Sequence, residues 1–98
     1  MQFGLFYEIQ VPRPAAPEAE HERIREIVDQ VRLAEEMGFE EVWFVEHHFL
    51  TEWAHCSAPE VMLAALSQHT TKMRLGFGVI LLPIHHPLEV AAKTATLD

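Results

Sequence analysis

The segment Val42-Trp43-Phe44-Val45-Glu46-His47-His48-Phe49 decides how this 98-residue chain is interpreted. Its first four residues are β-branched or aromatic, which is typical of a buried strand. A carboxylate and two imidazoles follow immediately. The sequence therefore predicts a strand that ends near Glu46 and carries ionisable side chains into the loop after it.

Upstream of this segment, the apolar pattern predicts one strand and one helix. A short aromatic-rich run predicts a strand from Phe3 to Ile9, covered on both faces. Apolar residues at three- and four-residue spacing then predict a helix from about Glu18 to Met37. Gly38 is suited to the position just after that helix, where a left-handed backbone is common.

Downstream of the segment, the same alternation continues. Ser57 and Glu60 are spaced as in a capping box, which predicts a second helix that runs to about Thr70. A third strand is predicted from Arg74 to Leu82, and Pro87 opens a final helix. The order β-α-β-α-β-α predicts an α/β fold with a parallel sheet.

Two architectures share this order, the doubly wound sheet and the closed barrel. A dinucleotide-binding sheet normally has a glycine-rich turn after its first strand, whereas this chain has a loop with Pro12, Pro14 and Pro17. This favours a (β/α)8 TIM barrel, whose complete form needs roughly 250 residues. We therefore expect residues 1–98 to be the N-terminal part of a single barrel domain, its first three β/α units.

Barrel active sites lie on the loops at the C-terminal ends of the strands. Five of the seven histidines follow the second and third predicted strands, among them His47, His48, His85 and His86. His21 and His69 fall on predicted helices, where solvent exposure is the simpler interpretation. The ionisable chemistry is thus predicted to collect at one end of the sheet.

Composition limits the partners. The formal charge of −8 argues against nucleic acid and anionic membrane surfaces. No apolar run approaches the roughly 18 residues that a membrane span needs, so a cytoplasmic location is expected. Cys56 is the only cysteine, and a packed small residue is its default interpretation.

The ordered series of motifs resembles the bacterial luciferase-like flavin-dependent monooxygenases. Glu46-His47-His48-Phe49 after the second strand carries the resemblance, and Gly76 to Pro83 followed by His86-Pro87 resembles the family's third strand and turn. The resemblance extends along the whole chain but covers only the first part of the family's barrel. It implies an enzyme that uses reduced flavin and O2 to oxidise a small organic substrate.

The resemblance also implies cofactors and roles. The flavin would be FMN supplied by a flavin reductase, or alternatively the deazaflavin coenzyme F420. His47 matches the catalytic base, Glu46 would orient its imidazole, and His48 would contact the cofactor. His86 would cap or brace the following helix.

Glycines within the third predicted strand suggest a close approach to the cofactor. Gly76 and Gly78 indicate either a bulge or a close backbone contact, which a flat ring would need. In the family a non-proline cis peptide matches Gly78-Val79. Tyr7 and Trp53 are predicted substrate contacts, although Trp53 would suit an interface equally well.

Two alternatives remain open. The rim histidines with Glu8 and Glu46 could bind a divalent metal in a barrel hydrolase or isomerase. The chain could instead be a non-catalytic truncated remnant, because three strands cannot close a barrel and leave two unpaired edges. Self-association into a homo-oligomer would cover those edges.

Overall fold

A computed structural model describes all 98 residues, and its strands are joined in the parallel order that the sequence predicts. The sheet has the order β1-β2-β3, with β2 in the centre. Its strands are β1 (Gly4–Tyr7), β2 (Glu41–Phe44) and β3 (Arg74–Phe77). Both neighbouring pairs are parallel, so the C-terminal ends of all three strands lie at the same end of the sheet.

Helices follow each strand, as predicted. They are α1 (Ala19–Glu36), α2 (Pro59–Ser67) and α3 (Pro87–Leu97). Gly38 has a φ of 90°, which confirms its left-handed role after α1. His86 is the N-cap of α3, and its Nδ1 accepts the Leu88 amide at 3.2 Å, so its predicted capping role is also confirmed.

The hydrophobic core lies between α1, α2 and one face of the sheet. Val42 and Phe44 are fully buried on this face because alternate strand residues point toward the helices. The opposite face, which we call the open face, is uncovered: Phe6 is 60% and Trp43 is 39% exposed. The prediction of strands covered on both faces is therefore wrong for this chain, whereas the two unpaired edges at β1 and β3 are confirmed.

Two predicted element boundaries are corrected. The capping box is absent, because the N-cap of α2 is Ala58 and Pro59 is its first residue, which leaves Ser57 one position too early. The helix ends at Ser67 rather than Thr70. Glu60 instead accepts a hydrogen bond from Lys93 on α3 at 2.7 Å.

The third strand ends at Phe77 rather than Leu82. Its partner β2 ends at Phe44, and the Gly78 amide donates to the Phe44 carbonyl at 2.7 Å as the last contact of this ladder. The chain then passes a cis peptide at Gly78-Val79 and forms a short 3₁₀ helix at Leu82–Ile84. This departure from strand geometry brings His85 back over the end of β2.

Candidate active site at the C-terminal end of the sheet

Glu46 is the one buried residue of the molecule that carries an ionisable carboxyl group. Its side chain is 1% exposed, yet it lies directly beyond β2. Oε1 accepts hydrogen bonds from Nε2 of His48 at 2.8 Å and from Nε2 of His85 at 2.6 Å, and Oε2 accepts the Leu81 amide at 2.8 Å. No buried side-chain nitrogen or oxygen in the structure lacks a partner. The carboxylate therefore joins the end of β2 to the loop beyond β3.

These contacts also set the charge of Glu46. Burial by itself would raise its pKa, but the hydrogen bonds from His48, Leu81 and His85 outweigh that effect and hold the pKa below its ordinary value. Glu46 is thus ionised at neutral pH. It does not hydrogen-bond His47, so the expectation that it orients the His47 imidazole directly is corrected: it holds His48 and His85.

His47 lies in a separate cavity. Its amide donates to the Cys56 carbonyl at 2.8 Å, which fixes the backbone beyond β2. The half-buried side chain lines a surface cavity of about 310 Å³ together with Phe49, Leu50 and His55. The His47 imidazole therefore borders a surface cavity that has both apolar and polar side chains in its lining, Glu20 and Ser57 among the polar ones.

Sequence reasoning assigned no specific role to His55. Its Nε2 lies 2.6 Å from the Thr51 carbonyl, and its Nδ1 lies 3.2 Å from a carboxylate oxygen of Glu20 on α1. The Thr51 carbonyl can only accept, so Nε2 donates to it while Nδ1 faces the Glu20 carboxylate. His55 therefore ties the loop that follows β2 to the start of α1. No short-range motif marks this pairing, since the two residues are far apart in sequence.

The predicted cofactor glycines lie under aromatic side chains. A Cβ at Gly76 would come within 2.4 Å of the Trp43 indole, and one at Gly78 would lie 3.0 Å from the Phe6 ring. The close approach expected at these glycines is therefore made by the chain's own aromatic residues. Val79 is 60% exposed beside them.

The two predicted substrate residues occupy different environments. Tyr7 stacks on Phe44 at 5.2 Å between ring centroids and donates to Gln30 on α1 at 3.0 Å, so it faces the helices and not the open face. Burial raises the pKa of its hydroxyl. Tyr7 also lines a surface cavity with Glu8 and Gln10, and its role as a substrate contact stays a prediction. Trp53 is 67% exposed in the loop after β2.

Other sequence predictions can be compared directly with the structure. Cys56 is buried, and burial together with the nearby Glu60 and Glu46 carboxylates raises the pKa of its thiol to about 11, which agrees with a packed, unreactive residue. His21 and His69 are exposed. No group of three His, Cys, Asp or Glu side chains is arranged to hold a metal ion, and the metal-dependent alternative is not favoured.

The chain also has measurable similarity to known proteins. Residues 1–98 match the family model described as luciferase-like monooxygenase. The alkanal monooxygenase alpha chain of Photorhabdus laumondii subsp. laumondii is 35% identical over 98 residues, which is 100% of this chain and 26% of that protein. The curated relatives matched are several times longer, since the chain spans between 17% and 26% of their length.

Two solved structures have the same fold. The crystal structure of apo-MsnO8 superimposes with a TM-score of 0.86 at 28% identity, covering 98% of this chain and 28% of that one. The oxygenating constituent of 3,6-diketocamphane monooxygenase from Pseudomonas putida, a type II Baeyer-Villiger monooxygenase in complex with FMN, has a TM-score of 0.84 at 22% identity, covering 99% and 26%. None of the helices of the present chain is both long and apolar enough to cross a membrane. On the match over its whole length, the chain belongs to the luciferase-like monooxygenase family.

Proposed function

We propose that residues 1–98 form the first three β/α units of a (β/α)8 TIM barrel and supply part of the active site of a flavin-dependent monooxygenase. The reaction would use reduced flavin and O2 to oxidise a small organic molecule. One observation carries the proposal: in a chain that matches this family from end to end, three histidines gather at the C-terminal end of the sheet, two of them on a buried carboxylate. That end is where barrel enzymes place their chemistry.

The open face of the sheet is apolar, so it would suit the aromatic ring of a flavin better than the flavin's charged phosphate. Phe6, Trp43 and Val79 present exposed apolar surface beside Gly78, which is the lining that a flat aromatic ring requires. We propose Gly78, Val79 and His48 as cofactor contacts, with Trp43 covering Gly76. When bound, reduced flavin supplies the two electrons that the reduction of O2 in a monooxygenation requires.

Two of the cations that follow the first and third strands are already paired with carboxylates. Arg13, in the loop after β1, lies 3.3 Å from Glu20, and Lys93 lies 2.7 Å from Glu60. We therefore expect the isolated 98-residue chain to bind FMN weakly or not at all. A submicromolar dissociation constant from quenching of flavin fluorescence would contradict this expectation. FMN is the cofactor found in the P. putida protein of similar fold, and F420 remains the alternative.

His47 is the proposed catalytic base. Imidazoles gain and lose a proton near neutral pH, so His47 can take a proton from a substrate in the adjoining cavity and return it within one turnover. The cavity is bordered by Phe49 and Leu50, and the exposed Trp53 lies in the same loop. These apolar side chains favour an organic substrate. The relative named alkanal monooxygenase makes an alkanal the first class of compound to test.

An isotope experiment tests the proposed function. A polypeptide that joins residues 1–98 to the strands that close the barrel would be mixed with chemically reduced FMN, ¹⁸O2 and either decanal or a cyclic ketone. We expect one ¹⁸O atom in the carboxylic acid or lactone product. Flavin oxidation that gives only hydrogen peroxide with every substrate would count against the proposal. Supply of reduced flavin by a reductase, homo-oligomerisation and cytoplasmic location remain predictions.

A further inference from the structure

The Glu46 carboxylate contacts two imidazoles, and in each of them the contacting ring atom is Nε2. Nε2 of His48 and Nε2 of His85 both lie within 2.8 Å of Oε1, and Glu46 is ionised because its pKa is lowered. A carboxylate can only accept hydrogen bonds, so each imidazole must carry a proton on Nε2. In the neutral ring the second nitrogen, Nδ1, is then an acceptor. Neither Nδ1 has a hydrogen-bond partner within the chain.

The two histidines are also positioned differently from other histidines in the molecule. Their side chains are 31% and 22% exposed, so one side of each ring faces Glu46 while the other remains accessible. The third contact of Glu46, with the Leu81 amide, holds the segment that carries His85. His21 is exposed on α1 and His69 is exposed in the turn after α2, and neither has such a contact, so they provide internal references.

We infer that Glu46 is a positioning residue that holds His48 and His85 in the same tautomer, with Nε2–H directed inward and Nδ1 available as a proton acceptor at the C-terminal end of the sheet. One acidic side chain thereby fixes two accessible acceptors from separate segments, and His85 lies 39 residues from Glu46 in the sequence. The inference rests on the proposed function only in its consequence, namely that two fixed proton acceptors lie at the end of the sheet where that function places the chemistry. Glu46 itself acts through the two imidazoles.

The tautomers are measured directly by NMR on the 98-residue chain without flavin. A long-range ¹H–¹⁵N correlation at a pH where the imidazoles are neutral separates Nε2–H from Nδ1–H rings by their nitrogen shifts. We expect His48 and His85 to show the Nε2–H pattern in wild type with little averaging. His21 and His69 should show the averaged pattern of free imidazole. An Nδ1–H or fully averaged pattern at both His48 and His85 would overturn the inference.

A pair of conservative substitutions separates positioning from general stabilisation. Glu46→Gln keeps the shape but leaves one accepting oxygen and one donating nitrogen, so either the imidazoles or the Leu81 amide should lose their acceptor. In the first case the fixed tautomer is lost; in the second, exchange of the Leu81 amide with solvent should accelerate by about tenfold, the equivalent of one lost hydrogen bond. Glu60→Gln changes a neighbouring carboxylate that pairs with Lys93 and should leave both tautomers as in wild type. Unchanged nitrogen shifts and unchanged Leu81 exchange in Glu46→Gln would contradict the inference.

This experiment remains decisive if the variant does not fold, because the wild-type tautomers alone decide the first part. It is also independent of the monooxygenase test. Failure of the ¹⁸O experiment would leave the tautomer result standing, and free tautomers in wild type would leave the proposed reaction untouched.

Discussion

Two glutamates at opposite ends of the sheet each accept several hydrogen bonds, but the donors are of different kinds. Glu35, at the end of α1, accepts the backbone amides of Thr71, Lys72 and Met73 just before β3. Glu46, beyond β2, accepts two imidazoles and one amide. The pKa of each is lowered: at Glu35 chiefly by the Lys72 amide, and at Glu46 by contacts that outweigh the effect of burial.

The difference lies in what the donors can do. Backbone amides do not titrate, so Glu35 can only hold the loop that leads into β3. Imidazoles exchange protons near neutral pH, so the imidazoles that Glu46 holds can take part in proton transfer as well as stabilise the fold. This division matches the general behaviour of barrels, whose N-terminal ends contribute stability and whose C-terminal ends contribute function. The predictions below probe this contrast.

The largest expected effect is on stability when each acceptor is removed. Glu46→Ala leaves the Leu81 amide and two imidazoles without their buried acceptor, and we expect a loss of about 3 kcal/mol. Glu35→Ala exposes its donors to water, so a loss of about 1 kcal/mol is expected. Urea unfolding followed by circular dichroism measures both. Equal losses of unfolding free energy in Glu46→Ala and Glu35→Ala would mean that the two ends of the sheet do not differ in this way.

The thiol beside the Glu46 site should be almost inert. With the pKa of Cys56 at about 11, its thiolate at pH 8 is about a hundredfold scarcer than in an ordinary cysteine, and burial limits access further. Labelling by a thiol-specific disulfide reagent should therefore require unfolding. Glu46→Gln removes one of the charges that raise this pKa and should accelerate labelling. Rapid labelling of the native wild-type chain would contradict the described environment.

Acidification should weaken both ends of the sheet. Each lowered pKa means that folding favours the ionised carboxylate, so the stabilisation is complete above the ordinary glutamate pKa of 4.5. It is lost as the pH falls through the lower value of the folded state. Unfolding free energies measured between pH 7 and pH 3 should fall less steeply in Glu46→Gln and Glu35→Gln than in wild type. Glu52→Gln, at an exposed loop carboxylate with no partner, should keep the wild-type slope. A wild-type slope in both test variants would show that neither carboxylate has the described contacts.

The smallest effect is expected on the open face. Gly76→Ala would place a methyl group against the Trp43 indole, which is partly exposed and able to move outward. We expect a loss of about 1 kcal/mol, at the lower end for overpacked sites, with a red-shifted tryptophan emission. Trp53→Phe in both backgrounds removes the second tryptophan signal. An unchanged spectrum would mean that Trp43 does not cover Gly76.

Much of the fold could be predicted because it depends on local patterns. The alternation of strands and helices, Gly38 after α1 and Pro87 at the start of α3 all follow from neighbouring residues, whereas the capping role of His86 came from the family resemblance. The placement of His47 and His48 beyond β2 followed from the strand pattern alone.

The partners of Glu46 could not be predicted in the same way. His85 reaches Glu46 only because β3 ends at Phe77 and the chain turns through a 3₁₀ helix, whereas the apolar run to Leu82 indicated a longer strand. The orientation of Tyr7 was open to prediction, since strand alternation places it opposite Phe6.

The proposed role of His47 is that of the catalytic base in a flavin-dependent monooxygenase. Its most direct test is the rate of substrate oxidation by reduced FMN and O2 in the barrel-completed polypeptide, compared between wild type, His47→Ala and His69→Ala. We predict that His47→Ala lowers the rate by about 10² to 10⁴-fold, the usual contribution of a general base, while His69→Ala leaves it unchanged. Wild-type turnover in His47→Ala would contradict the account.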